Sequence, residues 1–148
     1  MRQRTLPPRR SWPLLWRWGP LILWMAVISG FSTAAFSAEE TSRFLIPLLR
    51  WLFPGVSPAT FELLHLGIRK GMHVAEFSVL ALLWYRALGW NGQRWHVRAA
   101  LAAFLLAAGF GVIDEFHQTF VPGRTGALGD VGWDSLGAAL GLVGRHVL

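Results

Sequence analysis

The chain has 148 residues, of which 53% are hydrophobic and 15% charged, with nine Trp and ten Phe. Soluble domains carry roughly 25% charged residues, and a chain this short has too little interior to hide so much apolar surface. Together with a mean hydropathy of +0.41, this excludes a disordered chain, a coiled coil and a solvated enzyme domain, and points to an integral membrane protein. Cysteine is absent, which removes disulfides, thiolate nucleophiles and Cys-based zinc sites.

In chain order, residues 1–17 form a basic tail and residues 18–37 the first apolar span. A bilayer core of ~30 Å needs about 20 helical residues. An Arg-rich start, an apolar run and the small residues Ala35-Phe36-Ser37 also fit a cleaved signal peptide, but the run is long for one. Residues 44–53 (FLIPLLRWLF) are apolar but too short to cross and are interrupted by Pro47, which predicts an interfacial or re-entrant segment. Ser57-Pro58 reads as an N-cap and first-turn proline. It starts a helix leading into the second span, residues 71–88, with Gly67 and Gly71 as break points. The third span covers residues 99–118 and the fourth residues 130–147. Backbone groups in lipid must be satisfied internally, so the spans are helices. The expectation is an all-α polytopic membrane protein. A bundle of four transmembrane helices, with a short interfacial segment between the first two, makes a single domain over residues 18–148.

Charge sets the orientation. Arg2, Arg4, Arg9, Arg10, Arg17, Arg86, Arg94, Arg98 and Arg145 fall on one side of the predicted bundle. Arg43, Arg50, Arg69, Lys70 and Arg124 fall on the other, with all eight acidic residues: Glu39, Glu40, Glu62, Glu76, Asp114, Glu115, Asp130 and Asp134. The positive-inside rule then places both termini in the cytoplasm. Topology accounts for the net charge of +6, and nucleic acid is not expected as a partner.

The polar residues of the spans gather toward the outer ends of three helices. His73 and Glu76 share one face of the second span. Ala103, Ala107, Gly111, Asp114 and Gln118 lie on one stripe of the third, and Asp130, Asp134, Gly137, Gly141 and Gly144 on one stripe of the fourth, at about 100° per residue. Small-xxx-small seams allow close helix contact, so the third and fourth helices are expected to pack through Ala103, Ala107 and Gly111 against Gly137 and Gly141. The seams equally leave homo-oligomer formation open. Ionisable residues inside a membrane usually face the bundle interior or a water-filled cavity. Glu76, Asp114 and Asp134 are therefore expected to converge, with Lys70, His73 and Arg124 at the rim. Pro122-Gly123 forms a turn, and Arg124 suits carboxylate or phosphate.

The candidate binding set is Lys70, His73, Glu76, Asp114, Glu115, Gln118, Arg124, Asp130 and Asp134. Its ligand would be a membrane lipid, a lipid-linked precursor or a partner helix. His73, Glu76, Asp114 and Asp134 are candidates for general acid–base work on such a substrate, which keeps an enzyme that hydrolyses or transfers a group on a lipid as the alternative. Ser135 and Thr119 lack an obvious Ser-His arrangement, and His73-x-x-Glu76 is not the His-Glu-x-x-His pattern. These carboxylates with His73 could also hold a divalent cation, but the sequence assigns no metal site and no cofactor. A transporter or proton relay is disfavoured by short spans without a repeat.

Two motifs resemble the halves of the VanZ-like family signature: Arg69-Lys70-x-x-His73-x-x-Glu76-Phe77, and Asp114-Glu115-x-x-Gln118-x-Phe120-x-Pro122-Gly123-Arg124 continued by Asp130-Val131-x-x-Asp134-x-x-Gly137. Phe77 and Phe116 stand where tyrosine is common in the family, so a phenol hydroxyl is not essential. The resemblance covers residues 65–144. It implies a small multi-pass protein of the bacterial cytoplasmic membrane acting at the cell envelope. The family's namesake is an accessory determinant of resistance to the glycopeptide teicoplanin, so an effect on antibiotic susceptibility is implied too. Family likeness alone does not settle function.

Overall fold

The computed structural model describes residues 14–88, 95–124 and 126–147. The basic residues Arg2, Arg4, Arg9, Arg10 and Arg94, on which part of the orientation rests, lie outside them, as does the side chain of Glu39. Among the described residues the chain is all-α, with no strand. It forms α1 (Leu14–Phe31), a 3₁₀ turn (Ala34–Phe36), α2 (Ala38–Leu52), α3 (Pro58–Ala87), α4 (Val97–Gln118) and α5 (Leu128–Val147).

The first apolar helix stops at Phe31 rather than continuing to residue 37. Short polar side chains here bond the backbone locally and compete with the helix: the Thr33 hydroxyl donates to the Gly30 carbonyl at 2.7 Å. The Ser37 hydroxyl then caps α2, accepting from the Glu40 amide at 3.2 Å. Pro47 does not interrupt this segment but sits inside α2. It removes one helical donor, while the Ser37 cap and the burial of Leu49 hold the turns on either side. Phe44, Leu48, Trp51 and Leu52 remain exposed.

Ser57 caps α3 as expected, accepting from the Thr60 amide at 3.2 Å, with Pro58 in the first turn. Gly67 and Gly71 break nothing, because α3 runs unbroken through both. Its 30 residues span about 45 Å, so its first turns overhang the bundle beside α2, where Ser42 and His65 are 3.4 Å apart.

The bundle comprises α1, the C-terminal part of α3, α4 and α5, packed on Leu21, Ile28, Phe77, Leu80, Ala107 and Ala138. At one end the Arg17 Nε donates to the Ala87 carbonyl and Arg86 to the Trp16 carbonyl. Trp95 stacks between Tyr85 and His146, with ring centroids 5.1 and 4.8 Å away. At the other end the ends of α1 and α4 meet, the Ser32 hydroxyl donating to Asp114 at 2.6 Å. Hence α1 and α4 run parallel, and α3 and α5 run against them.

The glycine seam of α5 packs against α3, not α4. A Cβ at Gly137 would strike the backbone of Val74, and one at Gly141 the Ser78 carbonyl oxygen at 2.7 Å. The Ser78 hydroxyl donates to the Gly137 carbonyl at 2.7 Å, a polar tie between the helices. The small stripe of α4 is buried as expected at Ala103, Ala107 and Gly111, but what sits over Gly111 is the Asp134 side chain, 2.9 Å from the position of a Cβ. Two helices, α1 and α4, are long and apolar enough to cross a membrane. The expected spans in α3 and α5 fall short of that measure, since α3 carries Glu62, Arg69, Lys70, Glu76 and Arg86, and α5 carries Asp130, Asp134 and Arg145.

Candidate functional site

The polar end of the bundle is built from four helices. Burial is deepest at Asp134 (1% exposed), followed by Glu115, Gln118 and Asp114, all buried. A buried carboxylate is costly without a partner, and most of these have one. Asp134 Oδ1 lies 2.9 Å from His73 Nδ1. Asp114 Oδ2 accepts from the Ser32 hydroxyl at 2.6 Å and from the Gln118 amide at 2.8 Å. Glu115 Oε2 accepts from the Ala127 amide at 2.8 Å, which folds the loop between α4 and α5 back onto α4. That return needs Gly126, since a Cβ there would strike the Glu115 carbonyl oxygen. Glu115 Oε1 is buried and has no hydrogen-bond partner among the described residues.

The expected triad of Glu76, Asp114 and Asp134 is thus organised through separate partners. Glu76 is half-buried, within electrostatic reach of His73, Asp134 and Asp114. Its backbone carbonyl accepts from the Trp24 indole at 3.0 Å, pinning α1 to α3. The trio that comes closest is instead His73, Glu115 and Asp134, each offering a ligand atom within 4.8 Å of the others.

Cations form the rim. Lys70 pairs with Asp130 across α3 and α5. The Arg124 guanidinium donates to the carbonyls of Phe31 and Thr33, closing the loop over the end of α1. Burial lowers the Arg124 guanidinium from its ordinary value and the neighbouring charge of Arg69 adds to this, while Asp114, Glu115 and Glu76 oppose it. The charge on Arg124 is thus coupled both to Arg69 and to the carboxylates. Arg124 bonds the connection after α1 at Thr33, and that connection runs on into an apolar groove of about 360 Å³, formed by Ala35, Glu40, Thr41, Phe44, Leu45 and Leu48.

Sequence reasoning missed Ser32, Trp24 and Ser78. Each bonds across helices to a residue more than 50 positions away, and no local spacing marks such a contact. The depth of Ser32 was a usable clue, since it sits at the same outer end of its span as the acids do of theirs.

An all-α bundle with two helices long and apolar enough to cross a membrane, and a polar cluster collected at one end, points to a small helical membrane protein. More narrowly, the chain belongs to the VanZ/LLP1 family, whose family model matches residues 17–148. Comparison with curated proteins and with solved structures gives no match.

Proposed function

We propose that this is a four-span protein of the bacterial cytoplasmic membrane that binds an anionic lipid headgroup, free or on a lipid-linked envelope precursor, at the polar end of its bundle. The observation that carries the reading is the Arg124 guanidinium, held by the Phe31 and Thr33 carbonyls over the end of α1 at the rim of a buried polar cluster, two residues along the chain from the groove-lining Ala35. A guanidinium is suited to bidentate contact with a phosphate, and the charge of Arg69 acts on the same site. The groove beside α2 offers apolar surface for an acyl chain next to that anion, and the exposed aromatic and aliphatic face of α2 suits a helix lying in the interface. Family membership supports a role at the cell envelope related to glycopeptide resistance.

The four-span topology is supported by helix direction. α1 and α4 are the two apolar spans, and they point the same way. Two parallel spans require a crossing between them, and α3 is the helix that connects their opposite ends.

The test is native mass spectrometry of the chain released from bilayer discs containing phosphatidylglycerol and phosphatidylcholine. Retained phosphatidylglycerol is expected on the wild type and should fall roughly tenfold in Arg69→Gln combined with Arg124→Gln, since bonds to charged groups contribute about 1.5–3 kcal/mol. Equal retention by both chains would sink the reading. A second reading, lipid hydrolysis or group transfer, is favoured by one contact, the His73–Asp134 pair at 2.9 Å, because a carboxylate that orients an imidazole is a common general-base arrangement.

A further inference from the structure

We infer that His73, Glu115 and Asp134 form a binding site for one divalent transition-metal cation, with zinc or manganese as the fitting ions. The inference does not rest on the lipid reading.

Three elements each contribute one donor: His73 from α3, Glu115 from α4 and Asp134 from α5. The donor atoms lie within 4.8 Å of one another. An ion with bonds of about 2.0–2.2 Å needs donors roughly 3–4 Å apart, which small side-chain rotations supply. Glu115 provides the second, independent observation. It is 4% exposed, and while Oε2 is satisfied by the Ala127 amide, Oε1 has no partner among the described residues. Leaving a buried carboxylate oxygen unpaired costs about 1–3 kcal/mol or more, and native structures rarely carry that cost without a use for the group.

Charge balance points the same way. Glu76, Asp114, Glu115 and Asp134 share this end of the bundle; Lys70 pairs with Asp130, Arg124 stays at the rim on backbone carbonyls, and the side chain bonded to the buried trio's carboxylates is His73, at Asp134. A dication at the trio offsets two of the four negative charges where they are most buried. The imidazole nitrogen favours zinc, and the two carboxylates keep manganese in contention over softer ions. Gly111 makes the room, because the Asp134 carboxylate occupies the place of its missing side chain. Three protein donors leave a coordination position for one oxygen ligand.

The experiment uses the full chain in detergent, purified with a tag free of histidine and stripped with a chelator. Zinc and manganese are each added alone, and bound metal is measured by equilibrium dialysis and by the shift in thermal unfolding. One ion per wild-type chain is expected, with a rise in melting temperature. Glu115→Gln, which can keep the bond from Ala127, and His73→Ala should each weaken binding by at least about tenfold and lose the melting shift, with helical content unchanged by circular dichroism. His117→Ala, on an exposed position of α4, should bind like the wild type. The site is overturned if the wild type retains neither metal, if Glu115→Gln and His73→Ala bind as tightly as the wild type, or if His117→Ala loses binding as they do. Should Glu115→Gln fail to fold, Asp134→Asn takes its place under the same criteria. Lipid retention is read separately, so either proposal can fail without the other.

Discussion

Ser32 ties α1 to the polar cluster through a single hydroxyl. Its bond to Asp114, 2.6 Å long, is one of two on that carboxylate oxygen, the other coming from Gln118. Ser32→Ala should therefore lower stability by about 1.5–3 kcal/mol, the usual worth of a bond to a charged acceptor, read as a fall in thermal unfolding temperature in detergent. Because Ser32 and Gln118 share one acceptor, Gln118→Ala added to Ser32→Ala should not give the sum of the single losses. An additive result would mean that the three residues do not act as a unit. Half of this arrangement is readable from sequence. Helical spacing alone places Gly111, Asp114 and Gln118 on one stripe, and all three are buried. Glu115, although in the candidate binding set, falls beside that stripe, so helical spacing alone does not bury it. Its burial comes from the return of the loop at Gly126 and Ala127, a tertiary event that no periodicity encodes.

Among the elements, the seam between α3 and α5 leaves the least room. Backbone meets backbone at Gly137 and Gly141, whereas Gly144, on the same stripe, would meet nothing within 4 Å. Gly137→Ala and Gly141→Leu should each destabilise the bundle by about 1–3 kcal/mol, the range for overpacking a close contact, and Gly144→Ala should leave the melting temperature in detergent unchanged. If all three variants melt alike, the glycines do not carry the seam. Gly111→Ala belongs to the same series, since its added carbon would press on the Asp134 carboxylate and the Phe77 ring; it should lower the melting temperature. The small-residue pattern correctly marks the close-packing face of α5 but names the wrong partner. A stripe is a property of one helix, and its partner is chosen by groups on the other. Here those are Ser78, which bonds the Gly137 carbonyl, and His73, which pairs with Asp134. The same distinction explains Pro47: a local rule predicts an interruption, but capping and packing hold α2 across it.

For the whole molecule, the two ends of the bundle differ in chemistry, and that difference predicts orientation. Arg17, Arg86, Arg98 and Arg145 lie toward one end, at the start of α1, the end of α3, the start of α4 and the end of α5. Asp114, Glu115, Asp130 and Asp134 lie toward the other, at the end of α4 and the start of α5. Basic residues flanking spans are retained on the cytoplasmic side. Four antiparallel steps through α1, α3, α4 and α5 return the chain to the side on which it started. A reporter active only in the cytoplasm, fused after Leu148, should therefore be active, and one inserted in the loop at Gly123, where a positive φ of 76° already marks a tight turn, should be silent. The pair of fusions separates the alternatives. If α5 lies along the membrane surface instead of crossing, both reporters fall on the same side and both are silent. If the bundle is inverted, the Gly123 fusion is active and the Leu148 fusion silent. Only the crossing of α5 with the arginines inside gives activity at Leu148 and none at Gly123. That outcome would put the buried carboxylates and the Arg69–Arg124 rim at the outer face, where a lipid-linked envelope substrate could reach them.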